Sequence, residues 1–273
     1  MPTPEPPLDR PSPDGGPTAL RPGRLLALAA GAGLIAGLLA WLAGEASLTM
    51  FRPPTVRAYS FGQAIDRASY PDQAVANFKN AVLAYAELGA CLGLTLGLAG
   101  AIARGSRRAA LRSGALGASI GAVLATMAAM AALPIYFRAE DRDQEALARD
   151  LILPMVVHVA AWGASGLAGG LALSLGLGGS GGRARAVRMA TGGLIGAAIG
   201  TLAYEVAGAT LFPDARTAEP LSWTWGTRLF ARLMVAIPAS VVAAAMAEPK
   251  PRRKSGPAAT PEAGPDPAPS AIA

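Results

Sequence analysis

The chain has 273 residues and a formal net charge of +6, yet only 15% of its residues are charged while 52% are hydrophobic and 33 are glycine. That balance excludes an ordinary soluble domain, in which about a quarter of residues carry charge, and the positive charge forms no aromatic-interleaved basic face of the kind that binds nucleic acid. One cysteine, Cys91, excludes a disulfide framework and a cysteine metal site.

Residues 1–24 contain eight prolines and residues 249–273 contain seven, so both ends read as disordered tails with little to bury. Pro4-Glu5-Pro6-Pro7 fits a PxxP pattern but reads as solvated tail. Between the tails, apolar runs predict six transmembrane helices at about 25–44, 80–103, 113–136, 151–175, 189–211 and 227–247, each long enough to cross a hydrocarbon core of about 30 Å. The first run exceeds the roughly 7–15 residues of a signal-peptide core and follows a proline-rich segment, so it reads as a retained helix. The outer loop 45–79 carries Phe51, Tyr59, Phe61 and Tyr70 and is expected to pack on the helix ends. Pro71-Asp72 marks a helix start, which projects the second helix beyond the bilayer. The segment 104–112 carries Arg104, Arg107, Arg108 and Arg112, and 183–188 carries Arg183, Arg185 and Arg188, neither with an acid. Arg21 and Arg24 precede the first span, and Lys250, Arg252, Arg253 and Lys254 follow the last. The alternate connections hold the acids Glu140, Asp141, Asp143, Glu145, Asp150, Asp214 and Glu219. Positive residues stay cytoplasmic, so both termini are expected inside. Arginine outnumbers lysine 21 to 3, alongside abundant alanine and glycine, which suggests a GC-rich bacterial genome and a multi-pass protein of the inner membrane.

Gly89, Gly93 and Gly97 share one face of the second span, and Gly192, Gly196 and Gly200 share one face of the fifth. Gly33/Gly37 and Gly117/Gly121 repeat that spacing, which lets a neighbouring helix, expected within the same chain, approach closely. Gly33-Leu34-Ile35 with Leu42, Ala43 and Glu45 matches Gly193-Leu194-Ile195 with Leu202, Ala203 and Glu205 at a constant offset, as parallel repeats would.

Aromatic residues gather towards the outer boundary, at Trp41, Tyr136, Phe137, Tyr204, Phe212, Trp223 and Trp225. Glu87, His158, Glu205 and Arg232 lie at similar depth, about 7–10 Å from the outer helix ends at 1.5 Å per residue. Charges in hydrocarbon must face inward and pair. Arg232 with Glu87 or Glu205 is the expected pairing, with Tyr85 and Tyr204 alongside; the bland alternative is snorkelling and local hydrogen bonds.

Gly163-Ala164-Ser165-Gly166 resembles the GxSG element of rhomboid intramembrane proteases, which implies a serine nucleophile on the fourth helix and a histidine on the sixth. The resemblance covers four residues, and the sixth span has Arg232 and Pro238 but no histidine. The sole histidine, His158, lies seven residues before Ser165, about 10 Å along the same helix and outside hydrogen-bond reach. Gly176-Leu177-Gly178-Gly179-Ser180-Gly181 fits G-x-G-x-x-G by letter but lacks the strand-to-helix setting that cradles phosphate. Asp141-Arg142-Asp143 specifies no metal by itself. The sequence therefore predicts an all-α bundle without catalytic constellation, cofactor or metal. Its expected role is to bind a lipid or an envelope protein at the outer face through 45–79, without nucleic acid. The alternative is a small-solute or ion transporter or channel using the outer polar layer.

Overall fold

The computed structural model describes residues 22–60, 63–142, 151–179 and 182–247. The proline-rich stretches 1–21 and 248–273, with the PxxP pattern, Arg21 and the Lys250–Lys254 cluster, lie outside the described residues. So do Phe61, Asp143, Glu145, Asp150 and the Ser180-Gly181 pair.

Among the described residues, six helices are long and apolar enough to cross a membrane: α1 (Pro22–Ser47), α2 (Tyr70–Ala103), α3 (Arg107–Arg142), α4 (Ile152–Leu177), α5 (Gly182–Leu211) and α6 (Trp225–Ala245). The chain is an all-α, polytopic membrane bundle carrying one small hairpin, β1 (Thr55–Ser60) with β2 (Gln63–Ala68). Large apolar side chains such as Leu38, Leu42, Val123, Met127, Ile199 and Val206 point outward along α1, α3 and α5. A water-exposed surface of that kind would aggregate, whereas lipid tails accept it.

The helices form a closed ring in chain order, α6 returning to α1, with α2 and α4 pressed together through its middle. Small residues set the spacing. A Cβ on Gly89, Gly93 or Gly97 would collide with the backbone of Gly121, Gly117 or Ser113 on the antiparallel α3. Gly192, Gly196 and Gly200 meet the α6 backbone at Val242, Pro238 and Met234 in the same way, and Gly33 and Gly37 seat α1 on α6. Pro238 has no N–H to give the Met234 carbonyl one turn back, and that freed carbonyl is the one Gly200 packs against.

The helices overrun the apolar runs. Ser69 caps α2, its hydroxyl accepting the Asp72 N–H at 3.2 Å, with Pro71 in the first turn. At 34 residues and 1.5 Å per residue, α2 is about 50 Å long and extends well past the hydrocarbon. The segments read as arginine connections are largely helical: Arg107, Arg108 and Arg112 belong to α3, and Arg183, Arg185 and Arg188 to α5. Arginine is a good helix former whose long stem reaches water from a helix surface, so charge does not end these helices.

The 45–79 segment is clamped at its start, where Asn80 exchanges two 3.0 Å hydrogen bonds with the backbone of Phe51. The hairpin itself departs from the expected packing on helix ends: Val56, Ile65 and Tyr59 all remain exposed, Tyr59 at 76%. The register explains this. One face joins Val56 and Ile65 to Arg67 and Gln63, while the other joins Tyr59 to the Arg57–Asp66 cross-strand pair, so neither face is apolar enough to bury.

A buried polar layer beneath a re-entrant plug

His158 and Trp162 stand one turn apart on α4 and share a face. Their rings stack at 4.5 Å with an interplanar angle of 19°. From the neighbouring α5, Glu205 brings Oε1 against His158 Nδ1 in a close pair, both residues 1% exposed. Tyr204, the adjacent α5 residue, meets the Trp162 ring edge-on at 5.5 Å, and Tyr85 from α2 approaches it at 5.8 Å. The imidazole and the carboxylate form a pair buried from the protein surface, with the aromatic rings packed around it.

The expected pairing of Arg232 with Glu87 or Glu205 is corrected. Glu205 is taken by His158, and Glu87 Oε1 accepts a 2.7 Å hydrogen bond from the Ser47 hydroxyl. Helix α1 packs against both α2 and α6 at this level, and Gly44 lies between the two charges. A Cβ at Gly44 would be 3.5 Å from Glu87 Oε2 and 3.7 Å from Arg232 Nη2, so the two share a neighbourhood without an ion pair. All six sequence-predicted residues therefore lie in two adjoining groups: His158, Glu205, Tyr85 and Tyr204 around Trp162, and Glu87 with Arg232 around Gly44.

Five buried polar atoms of this layer have no hydrogen-bond partner among the described residues: Glu87 Oε2, His158 Nε2, Trp162 Nε1, Glu205 Oε2 and Arg232 Nη1. Unsatisfied buried groups cost about 1–3 kcal/mol each, and native interiors hold few. Their concentration at one level makes this layer the candidate site.

A plug closes it. Residues 217–222, between α5 and α6, fold down over the layer, with Thr217 and Ser222 buried. The Tyr85 hydroxyl donates to the Pro220 carbonyl at 3.2 Å, and the Tyr204 hydroxyl donates to the Thr217 carbonyl at 3.4 Å. Below the plug a void of about 20 Å³, touched by Tyr85, Trp162, Tyr204 and Arg232, has room for one water. Above it, a cavity of about 350 Å³ opens between α2, α3 and residues 219–223.

Sequence reasoning missed three parts of this arrangement. Trp162 at its centre announced itself only by standing four residues after the sole histidine. The plug carried no periodic signal. The third is a bidentate ion pair, Arg228 Nε and Nη2 to the two Glu45 oxygens at 2.6 and 2.8 Å, joining α6 to α1. Arg228 Nη1 also donates to the Ser222 and Trp223 carbonyls at 2.8 and 3.0 Å, which ties the plug to the helices. Arg228→Ala is expected to lower stability by about 1.5–3 kcal/mol, the scale of hydrogen bonds to charged groups, and to raise amide exchange selectively across 217–224. Unchanged exchange there would show that the plug is held by other contacts.

Ser165 is fully buried and its hydroxyl donates to the Ala161 carbonyl at 3.4 Å, while His158 is turned to Glu205, so the GxSG letters do not assemble a nucleophile and base. Gly178 and Gly179 end α4 with positive φ of 55° and 87°, which makes that glycine run a helix terminator. No family model, curated protein or solved structure matches the chain.

Proposed function

We propose that this is a non-enzymatic protein of a bacterial cytoplasmic membrane, termini inside, which binds an extended segment of an envelope protein at its hairpin end by strand addition. The observation that carries the reading is the hairpin: two strands with no further strand beside either outer edge among the described residues, with Val56 and Ile65 exposed on one face and Tyr59 on the other, standing on a helix that outruns the bilayer. An isolated two-stranded hairpin is marginal in water, and a third strand would satisfy one open edge while covering Val56 or Tyr59. The orientation rests on the other end, where Arg107, Arg108, Arg183 and Arg185 open α3 and α5. Positive charge there opposes the helix macrodipole, so a second influence must favour it, and cytoplasmic retention of arginine is that influence. A bacterial source is supported by the arginine-over-lysine, alanine- and glycine-rich composition.

A photo-crosslinker at Tyr59 in intact membranes, identification of the adduct and reconstitution from purified components test this reading. Amides of 55–68 are expected to exchange fast alone and become protected in the complex. A complex that forms equally well after residues 55–68 are replaced by a Gly-Ser linker sinks the proposal.

Transport is a second reading, supported by the five unpartnered atoms of the buried layer. Against it, among the described residues the helices between that layer and the arginine end meet backbone to backbone at Gly93, Gly97, Gly170 and Gly176, which narrows the space between them.

A further inference from the structure

We infer that the cavity between α2, α3 and residues 219–223 is a binding site for a small organic cation carrying an ammonium group. At about 350 Å³ the cavity falls within the roughly 300–1,000 Å³ of small-molecule sites. Its walls come from separate elements of the bundle, so its shape is set by the fold.

The polar groups left unspent in it can each accept a hydrogen bond. Tyr136 is only 4% exposed, lines the cavity, and its hydroxyl has no hydrogen-bond partner among the described residues. Glu140 lies one turn further along the same α3 face, lines the same cavity, and makes no ion pair or hydrogen bond among the described residues. Asn77 faces them from α2, its amide likewise unpaired among the described residues.

The other charges in the wall are already spent. Arg228 uses Nε, Nη1 and Nη2 on Glu45 and on the Ser222 and Trp223 carbonyls. Glu219 accepts from Arg216 at 3.1 Å and from the Trp223 indole at 2.7 Å. Among the described residues Glu140 is thus the wall carboxylate left without an ion pair or hydrogen bond, and a ligand that answers it is a cation.

Two observations make that cation organic. Among the described residues no group of three or more His, Cys, Asp or Glu side chains could hold a metal ion. The wall next to Glu140 is aromatic, Tyr136 and Phe137 packed edge-on at 5.6 Å, and aromatic rings attract alkylammonium groups. The ammonium could arrive as a free amine from solution or as the ethanolamine headgroup of a phospholipid, and the same groups would hold either. The site requires no protein partner, so its test is independent of strand addition at the hairpin.

Two arms separate the sources, both using the full chain in nanodiscs. In phosphatidylglycerol discs, tyramine is titrated calorimetrically against its uncharged N-acetyl derivative. In mixed discs, native mass spectrometry asks whether phosphatidylethanolamine is retained over phosphatidylglycerol. Saturable binding of one tyramine per chain, absent for N-acetyltyramine, supports a free-amine site; selective retention of phosphatidylethanolamine supports a headgroup site. In either arm Glu140→Gln is expected to weaken binding about tenfold or more, the scale of one charge-assisted hydrogen bond, and Tyr136→Phe to weaken it less. Asp214→Asn, a carboxylate change at the same end of the molecule but outside the cavity, leaves binding unchanged. The inference is overturned if neither probe is held, if Glu140→Gln binds like the wild type, or if Asp214→Asn weakens binding as much as Glu140→Gln does.

Discussion

Gly93→Leu is expected to abolish the stable bundle, with a loss of about 4 kcal/mol or more, well beyond an ordinary point substitution. Any Cβ at Gly93 runs into the carbonyl of Gly117, which is backbone and cannot rotate away. Gly89 against Gly121 and Gly97 against Ser113 lock the same seam one turn to either side, so α3 cannot tilt to relieve a single point. Inserting methylenes into a packed interior costs about 1–3 kcal/mol even where side chains can adjust. In lipid, close backbone approach is itself a main source of helix association, so forcing α2 and α3 apart also removes what held them. Because α2 runs through the middle of the ring, its contacts with α1 and α4 would shift as well. Unfolding in mixed detergent measures the effect, with Gly31→Leu as the comparison, since a Cβ at Gly31 meets nothing within 4 Å. Equal stability of Gly93→Leu and wild type would remove the α2–α3 seam as the element that organises the fold.

That seam shows what a linear sequence carries and what it does not. A four-residue glycine spacing defines a helix face, because i and i+4 lie above one another, so the close contacts were visible from Gly89, Gly93 and Gly97 alone. The residues they meet depend on antiparallel register, which the spacing does not specify. The polar layer followed the same division. Depth along a helix follows from counting residues at 1.5 Å each, which placed Glu87, His158, Glu205 and Arg232 at one level. Rotation about each helix axis does not follow from counting, and it is rotation that gives Glu205 to His158 and leaves Arg232 near Glu87 without an ion pair. The internal match of Glu45 with Glu205 illustrates the point: the first binds Arg228 across α1 and α6, the second His158 across α4 and α5. The hairpin escaped because the six-residue strands Thr55–Ser60 and Gln63–Ala68 mix apolar and charged residues on both faces, leaving no period-two apolar stripe. The plug escaped because residues 217–222 bind through backbone carbonyls at Thr217 and Pro220, and carbonyls are common to every residue type.

The His158–Glu205 pair gives the second large effect, in which two single substitutions are each worse than their combination. Glu205→Ala removes the partner of a buried imidazole whose Nε2 already has none among the described residues, and it opens a gap beside His158. His158→Ala strands a carboxylate that is 1% exposed and whose second oxygen is already unpartnered. Breaking a buried pair from one side costs about 3–5 kcal/mol, because the surviving group keeps its desolvation penalty and loses its compensation. Replacing both sides with apolar residues of similar volume, His158→Leu with Glu205→Met, removes both penalties together. Such exchanges are neutral or stabilising by about 1–4 kcal/mol in other proteins. Some of that gain is forfeited here, since leucine cannot reproduce the 4.5 Å stack on Trp162. The double variant should therefore unfold later than His158→Leu or Glu205→Met alone, a non-additivity read directly from a thermodynamic cycle. If its loss equals the sum of the Leu and Met singles, the two side chains are not coupled and the close pair contributes nothing as a pair. If instead the double variant is as stable as the wild type and yet loses partner binding or amine binding at the hairpin end, the cost of the polar layer is explained. The pair would then be retained for what it positions beneath the plug, through Trp162 to Tyr85 and Tyr204 and from these to the carbonyls of Pro220 and Thr217.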